Sequence, residues 1–157
     1  MKRFRFSLQQ VLNLKASQKF QIENELASLH RQKNQIEESL SELTKQWQAE
    51  NDALSLNKRK SLDSDYRIRV AYLEFLDQQF EVENKTLLNV MKQISTTQEK
   101  LATIIQEEKV IKKLRDKRFD EFVSATKKEE QAINDDLVNQ KVIQQILNLT
   151  RLTEHNE

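Results

Sequence analysis

The chain has 157 residues, with 26 Lys and Arg against 25 Asp and Glu, so its formal charge is only +1. That balance speaks against general nucleic-acid binding, which needs a net basic footprint. There is no Gly, Pro or Cys, so the usual agents of helix interruption and tight turning are missing, and so are zinc-finger and thiol chemistry.

About a third of the residues are charged, at 32%, and 37% are hydrophobic. The apolar share is below that of an average globular domain and suits a structure that buries a seam rather than a thick core. No apolar run approaches the ~20 residues of a membrane span. The opening Met1-Lys2-Arg3-Phe4-Arg5-Phe6-Ser7 turns polar at Gln9 and Gln10. It has no apolar core of a signal peptide, so the cytoplasm is the expected compartment.

Ser7 reads as a helix N-cap. Gln10 completes a capping box, and Phe6 with Val11 a hydrophobic staple. The cations before the cap are poorly placed for the helix dipole, which favours acids there. This suggests another task for Lys2, Arg3 and Arg5, although a frayed basic tail reads the same way. From Leu8 the chain steps in alternating fours and threes through Leu12, Lys15, Lys19, Ile22, Leu26, Leu29, Lys33, Ile36, Leu40, Leu43, Trp47, Glu50 and Leu54; ten of these fourteen positions are apolar. A 3.5-residue spacing keeps them on one helical stripe and predicts a partner helix wound left-handedly around it.

The pattern is lost from Ser55 to Asp65, where Lys58, Arg59 and Lys60 cluster and Asn57 can take the left-handed turn conformation that Gly otherwise supplies. The expected single domain, 1–157, therefore has a helix at about 7–56, a turn at about 57–64 and a second helix at about 65–150. The second seam reads Leu73, Leu76, Phe80, Glu83, Leu87, Val90, Ile94, Thr97, Leu101, Ile104, Glu108 and Ile111, nine of twelve apolar. Counting outward from the turn sets Trp47 near Leu73 and Leu76, and Leu8 near Ile111 and Leu114. It also sets Lys15 near Glu108, an ion pair expected to help fix register.

Past Leu114 no strict heptad phase fits, though Phe119, Phe122, Ile133, Leu137, Val138, Val142, Ile146, Leu149 and Leu152 still suggest helix. The second helix outruns the first by roughly thirty residues, an overhang of about 40 Å at ~1.5 Å per residue. Its exposed apolar side chains mark either a binding surface or a segment that folds back or dimerises. The fold class is thus all-α, a long antiparallel two-helix coiled coil with an overhanging C-terminal helix.

Catalytic chemistry finds no foothold. His30 and His155 lie far apart, neither preceded three residues earlier by Glu, and there is no phosphate-cradling glycine loop. A two-helix hairpin also offers no enclosed pocket to desolvate a catalytic group. The reading is a non-enzymatic binding or structural protein that needs no cofactor or metal. Two clusters stand out. Lys109-Val110-Ile111-Lys112-Lys113-Leu114-Arg115-Asp116-Lys117-Arg118 carries six cations against one acid, and falls beside the basic N-terminus at the open end of the hairpin. Such a field suits an acidic partner surface. Near the turn, Tyr66, Val70, Tyr72 and Phe75 form an apolar group; Tyr72 and Phe75 lie off the seam and share a face. They are either hot spots or a widening of the core.

Phe4-Arg5-Phe6-Ser7-Leu8, with Val11, Leu12 and Lys15, resembles the opening of the FliJ/YscO family of type III export proteins, in its flagellar branch. Tyr72, Phe75 and Leu76 resemble that family's aromatic start to the second helix. Lys113, Arg115-Asp116-Lys117-Arg118-Phe119-Asp120-Glu121-Phe122, Lys127-Lys128-Glu129-Glu130 and Asn134-Asp135-Asp136 resemble its charged C-terminal run. The stretch from Val138 onward is more apolar than the family pattern.

The resemblance implies a stalk in the pore of the hexameric flagellar export ATPase, promoting ring assembly and linking the ring to the membrane export gate. Handing back empty export chaperones is a further implied task. With the chain ends in the ring, Lys2, Arg3, Arg5, Lys112, Lys113, Arg115, Lys117 and Arg118 are the implied ATPase contacts, and Tyr72 and Phe75 the candidate gate contacts. The protein would serve flagellar biogenesis and motility from the cytoplasm, peripherally at the inner membrane. It would be a monomer when free, with neither nucleic-acid binding nor membrane insertion. The main rival is a homo-oligomeric structural spacer or scaffold, which needs chain–chain pairing. A nucleic-acid binder using 109–118 is opposed by Asp116, Asp120 and Glu121, and a peripheral stator of a rotary ATPase has a similar composition.

Overall fold

The computed structural model describes residues 3–56 and 64–154, with side chains described as far as Arg151. Lys2, the expected turn with Asn57 and Lys58-Arg59-Lys60, and His155 lie outside the described residues. Two helices account for nearly all of the rest: α1, Gln9–Leu56, and α2, Ser64–Glu154. No strand occurs among the described residues. The expected all-α hairpin of two long helices packed on one another is what forms. Neither helix is long and apolar enough in any stretch to cross a membrane.

Helix length follows from composition. With Gly and Pro missing, nothing in either segment breaks the i→i−4 ladder. Hydroxyl residues, which can compete with that ladder, are bonded back into it: Thr44, Thr86, Thr96, Thr103 and Thr126 each donate to the carbonyl four residues earlier. α1 starts at Gln9, two residues after the proposed cap. Ser7 and Leu8 lie in a turn instead, with Gln9 N donating to the Phe6 carbonyl at 3.1 Å and Leu12 N to that of Leu8 at 3.0 Å.

Contacts divide the chain into two units, one of residues 14–107 and one of 1–13 with 108–157. In the first, the helices run antiparallel. Lys15 bonds Glu107, Ser39 faces Glu83, and Glu50 bonds Arg69. Leu29, Val90 and Ile94 form the buried core, flanked by Leu26 and Ile36; Leu76 and Thr97 are also buried. Ile22, Leu40, Leu43, Leu54, Leu73, Leu87, Leu101 and Ile104 are half-buried. A pair of helices shields only the inner side of each seam residue, so partial burial is the rule.

Two seam positions, Trp47 and Phe80, stay more than a third exposed. Together with Leu43, Thr44, Leu76 and Asp77 they line a cavity of about 200 Å³. The two large rings border this opening and keep part of their surface in solvent. Lys15 pairs with Glu107 at 2.7 Å, the residue next to the expected Glu108. Glu108 is itself buried at a seam position, and its carboxylate bridges Lys112 at 2.8 Å, one turn along α2. Glu107 stands at the seam's edge, where a long Lys side chain reaches it without burying either charge fully.

In the second unit, Leu12 and Glu108 are buried, and Leu8 and Ile111 half-buried. Every residue from Lys127 to Arg151 is exposed, including Ile133, Leu137, Val138, Val142, Ile143, Ile146, Leu147 and Leu149. This is the expected overhang of α2, helical throughout, with no helix covering it among the described residues.

Candidate protein-binding surfaces

The first surface is built by the extended residues ahead of α1. Phe4 is half-buried and sits edge-on to Phe119, with ring centroids 5.3 Å apart and planes at 80°. Its centroid is 5.6 Å from that of Phe122, tilted at 52°. Phe119 and Phe122 are three residues apart and so share a face of α2. Edge-to-face geometry sets the positive rim of one ring on the negative face of the next. Three aromatic side chains therefore pin the segment from Arg3 to Leu8 onto α2.

That docking places charge. An open groove of about 640 Å³ is lined by Arg3, Phe4, Leu8, Leu114, Arg118 and Phe122 among others, with Glu121 as its one acid. On the other side of the segment, Arg5, Phe6, Arg115, Asp116 and Phe119 line a second open groove. The basic N-terminal residues and the basic run of α2 thus border common grooves with apolar floors.

The cations named in the sequence differ in their situation. Lys112 is held by Glu108, and Arg115 by Asp116 at 3.2 Å. Arg3, Arg5, Lys113, Lys117 and Arg118 are exposed. Phe4, Phe119 and Phe122 were not among the candidate site residues. The Phe-x-Phe opening and the Phe-x-x-Phe pair of α2 were each visible as motifs, but neither spacing reveals a partner more than a hundred residues away.

The second surface lies on α2 within the 14–107 unit. Tyr72 and Phe75 are stacked, centroids 6.3 Å apart and planes at 18°, and are 39% and 51% exposed. Ile68 and Val82 are exposed as well. Ile68, Tyr72, Phe75 and Val82 follow one another by four, three and seven residues, so they form a second heptad-phased stripe beside the buried seam. The heptad spacing in the sequence marks Ile68 and Val82 as members of the same stripe as the two aromatics. An apolar stripe of this kind is what a helical partner recognises.

Neither surface holds a group of three or more His, Asp or Glu arranged for a metal among the described residues. The chemistry on offer is contact: cations over apolar floors at one surface, and stacked rings at the other.

Comparison with known proteins gives one match, to the model of a family described as "Flagellar FliJ protein", over residues 4–146. Neither the curated proteins nor the solved structures yield a match to the chain. The family match begins at Phe4, takes in both helices and ends inside the exposed part of α2, and on that coverage the chain belongs to the FliJ family of flagellar export-associated proteins.

Proposed function

We propose that the protein is a non-enzymatic stalk of the flagellar export apparatus, binding the hexameric export ATPase, promoting its assembly and coupling it to the membrane export gate. The observation that carries this reading is the pinning of the basic N-terminal segment onto the basic run of α2 by Phe4, Phe119 and Phe122, in a chain of this family. A tail that merely frayed would not be held. A held tail that sets Arg3, Arg5 and Arg118 around apolar grooves is preorganised for a partner carrying carboxylates. Lys113 and Lys117 extend the field, and Lys112 and Arg115 support it through their own α2 partners; Lys2 completes the set. The stripe containing Tyr72 and Phe75 is the proposed gate contact. Escort of empty export chaperones belongs to the same reading, as does a peripheral place at the cytoplasmic face of the inner membrane.

The test is a binding titration of the purified chain against the ATPase of the same organism, at two salt concentrations. The double variant Arg5→Glu/Arg118→Glu should bind at least about tenfold more weakly at low salt, and the gap should shrink as salt is raised. Unchanged affinity at both concentrations would remove the site assignment.

A further inference from the structure

Beyond these surfaces, α2 carries another exposed stripe. Leu88, Met91, Ser95, Gln98, Ala102 and Ile105 follow one another by three, four, three, four and three residues, and all are exposed. Leu88 is 67%, Met91 47% and Ile105 42% exposed. The spacing is that of a coiled-coil seam, in a phase distinct from both the buried seam and the Tyr72 stripe. Lys92 and Glu99 flank it on one edge, one heptad apart. The register that sets Lys15 opposite Glu107 and Ser39 opposite Glu83 puts Phe20, 65% exposed, at the level of Ala102.

We propose that this stripe is a homotypic contact, through which two copies of the chain pair α2 against α2, antiparallel, about a twofold axis between the levels of Thr96 and Thr97. The spacing of the six positions reads the same way from either end. About that axis Leu88 meets Ile105 of the second chain, Met91 meets Ala102, and Ser95 meets Gln98. The long Met side chain falls where the partner is smallest and where Phe20 adds an aromatic ring, a favoured neighbour for a thioether. A parallel, in-register pair would instead set Met91 on Met91 and Ala102 on Ala102, crowding one layer and leaving a gap at another.

The flanking charges agree with the antiparallel arrangement. The axis brings Lys92 of each chain close to Glu99 of the other, giving two symmetry-related ion pairs at the rim. A second copy supplies the match of large Met91 to small Ala102 and of Lys92 to Glu99 on both sides of one axis.

The contact is small. Six layers span about 26 Å of helix, and such a pairing buries on the order of 1,000 Å² in total, at the lower edge of specific interfaces. The association is therefore weak and governed by concentration. Dilute chain stays single, and pairing sets in at chain concentrations on the order of 100 µM.

The chain has no native Cys, so single cysteines report cleanly. Chains carrying Ser95→Cys and Gln98→Cys, distinguished by a mass tag, are mixed under mild oxidant. The mixed disulfide should form at least about tenfold faster than either like pair, and faster than Asn89→Cys, on another face, forms its own dimer. In sedimentation velocity over a concentration series, Met91→Glu and Lys92→Glu should each lose the dimer while helical circular dichroism is unchanged, and Lys92→Glu/Glu99→Lys should regain it. Dominant like-pair disulfides would replace the antiparallel arrangement with a parallel one. Equal rates at Asn89→Cys, or a single species at several hundred micromolar, would overturn the contact altogether.

Discussion

Phe4→Ala is the substitution through which the N-terminal surface is most open to attack. Phe4 is half-buried and packs against two rings, at 5.3 and 5.6 Å. Fully burying a Phe side chain contributes roughly 1.5–3 kcal/mol, so a half-buried one contributes about 1–1.5. Each aromatic pair adds about 0.5–1.5 kcal/mol beyond area. Truncation to Ala should therefore cost about 2–4 kcal/mol, nearly all of it in docking the segment rather than in holding the helices together. That loss is enough to move the segment from mostly held to mostly released, a change of at least about thirtyfold in the open population.

The assay is limited trypsin cleavage after Arg5, where the rate follows the open population when closing is fast. Phe4→Ala should be cut at least about thirtyfold faster than the parent chain, with helix content unchanged. Phe4→Leu, which keeps the area but not the ring geometry, should fall between. Equal cleavage rates for all three would mean that the rings do not hold the segment and that Arg3 and Arg5 are not preorganised.

Other substitutions test the packing. Leu29→Ala opens the small buried core with Val90 and Ile94 and should cost about 2–5 kcal/mol in urea unfolding; the half-buried Leu40→Ala should cost less, and the reverse order would put the core elsewhere. Reversing Lys15 or Glu107 alone should lower stability by at most about 1 kcal/mol, since both are partly exposed, and reversing both should restore it; a double reversal no better than either single would show that the pair does not contribute to register. The side-chain oxygen of Gln18 is buried without a hydrogen-bond partner among the described residues. Gln18→Leu should leave the midpoint unchanged or raise it by about 1 kcal/mol, and a clear loss would show that the amide is bonded after all.

The fold was legible because a two-helix coiled coil is written in one variable, the spacing of apolar residues. The Leu29, Val90 and Ile94 core lies at seam positions that alternating steps of four and three select, and a chain without Gly or Pro leaves few ways to end a helix. Spacing says less where side chains of unequal size share a seam. Trp47 and Phe80 occupy seam positions, yet their bulk keeps them partly outside and leaves a cavity between. Spacing also fixes register only to within about a residue, and Lys15 reaches Glu107, one place from the expected Glu108.

Ser7 and Gln10 signal the start of α1 to within two residues of Gln9, where the helix begins. Just ahead of that start, Phe4 docks against Phe119 and Phe122. That docking was not readable from the sequence, since no local pattern links Phe4 to a helix face a hundred residues on. The basic clusters were readable as composition. Which cations keep an exposed head and which are tied to Glu108 or Asp116 needed the side-chain geometry.

A held, basic N-terminal segment is what we propose lets this chain engage and stimulate the export ATPase. The most direct measurement is ATP turnover by the flagellar export ATPase of the same organism against rising concentrations of the chain, kept below the range where copies pair. Stimulation should saturate, be lost when residues 1–6 are removed, and be weakened by Phe4→Ala. Turnover that does not respond to the intact chain, or that responds equally to the truncated one, would contradict it.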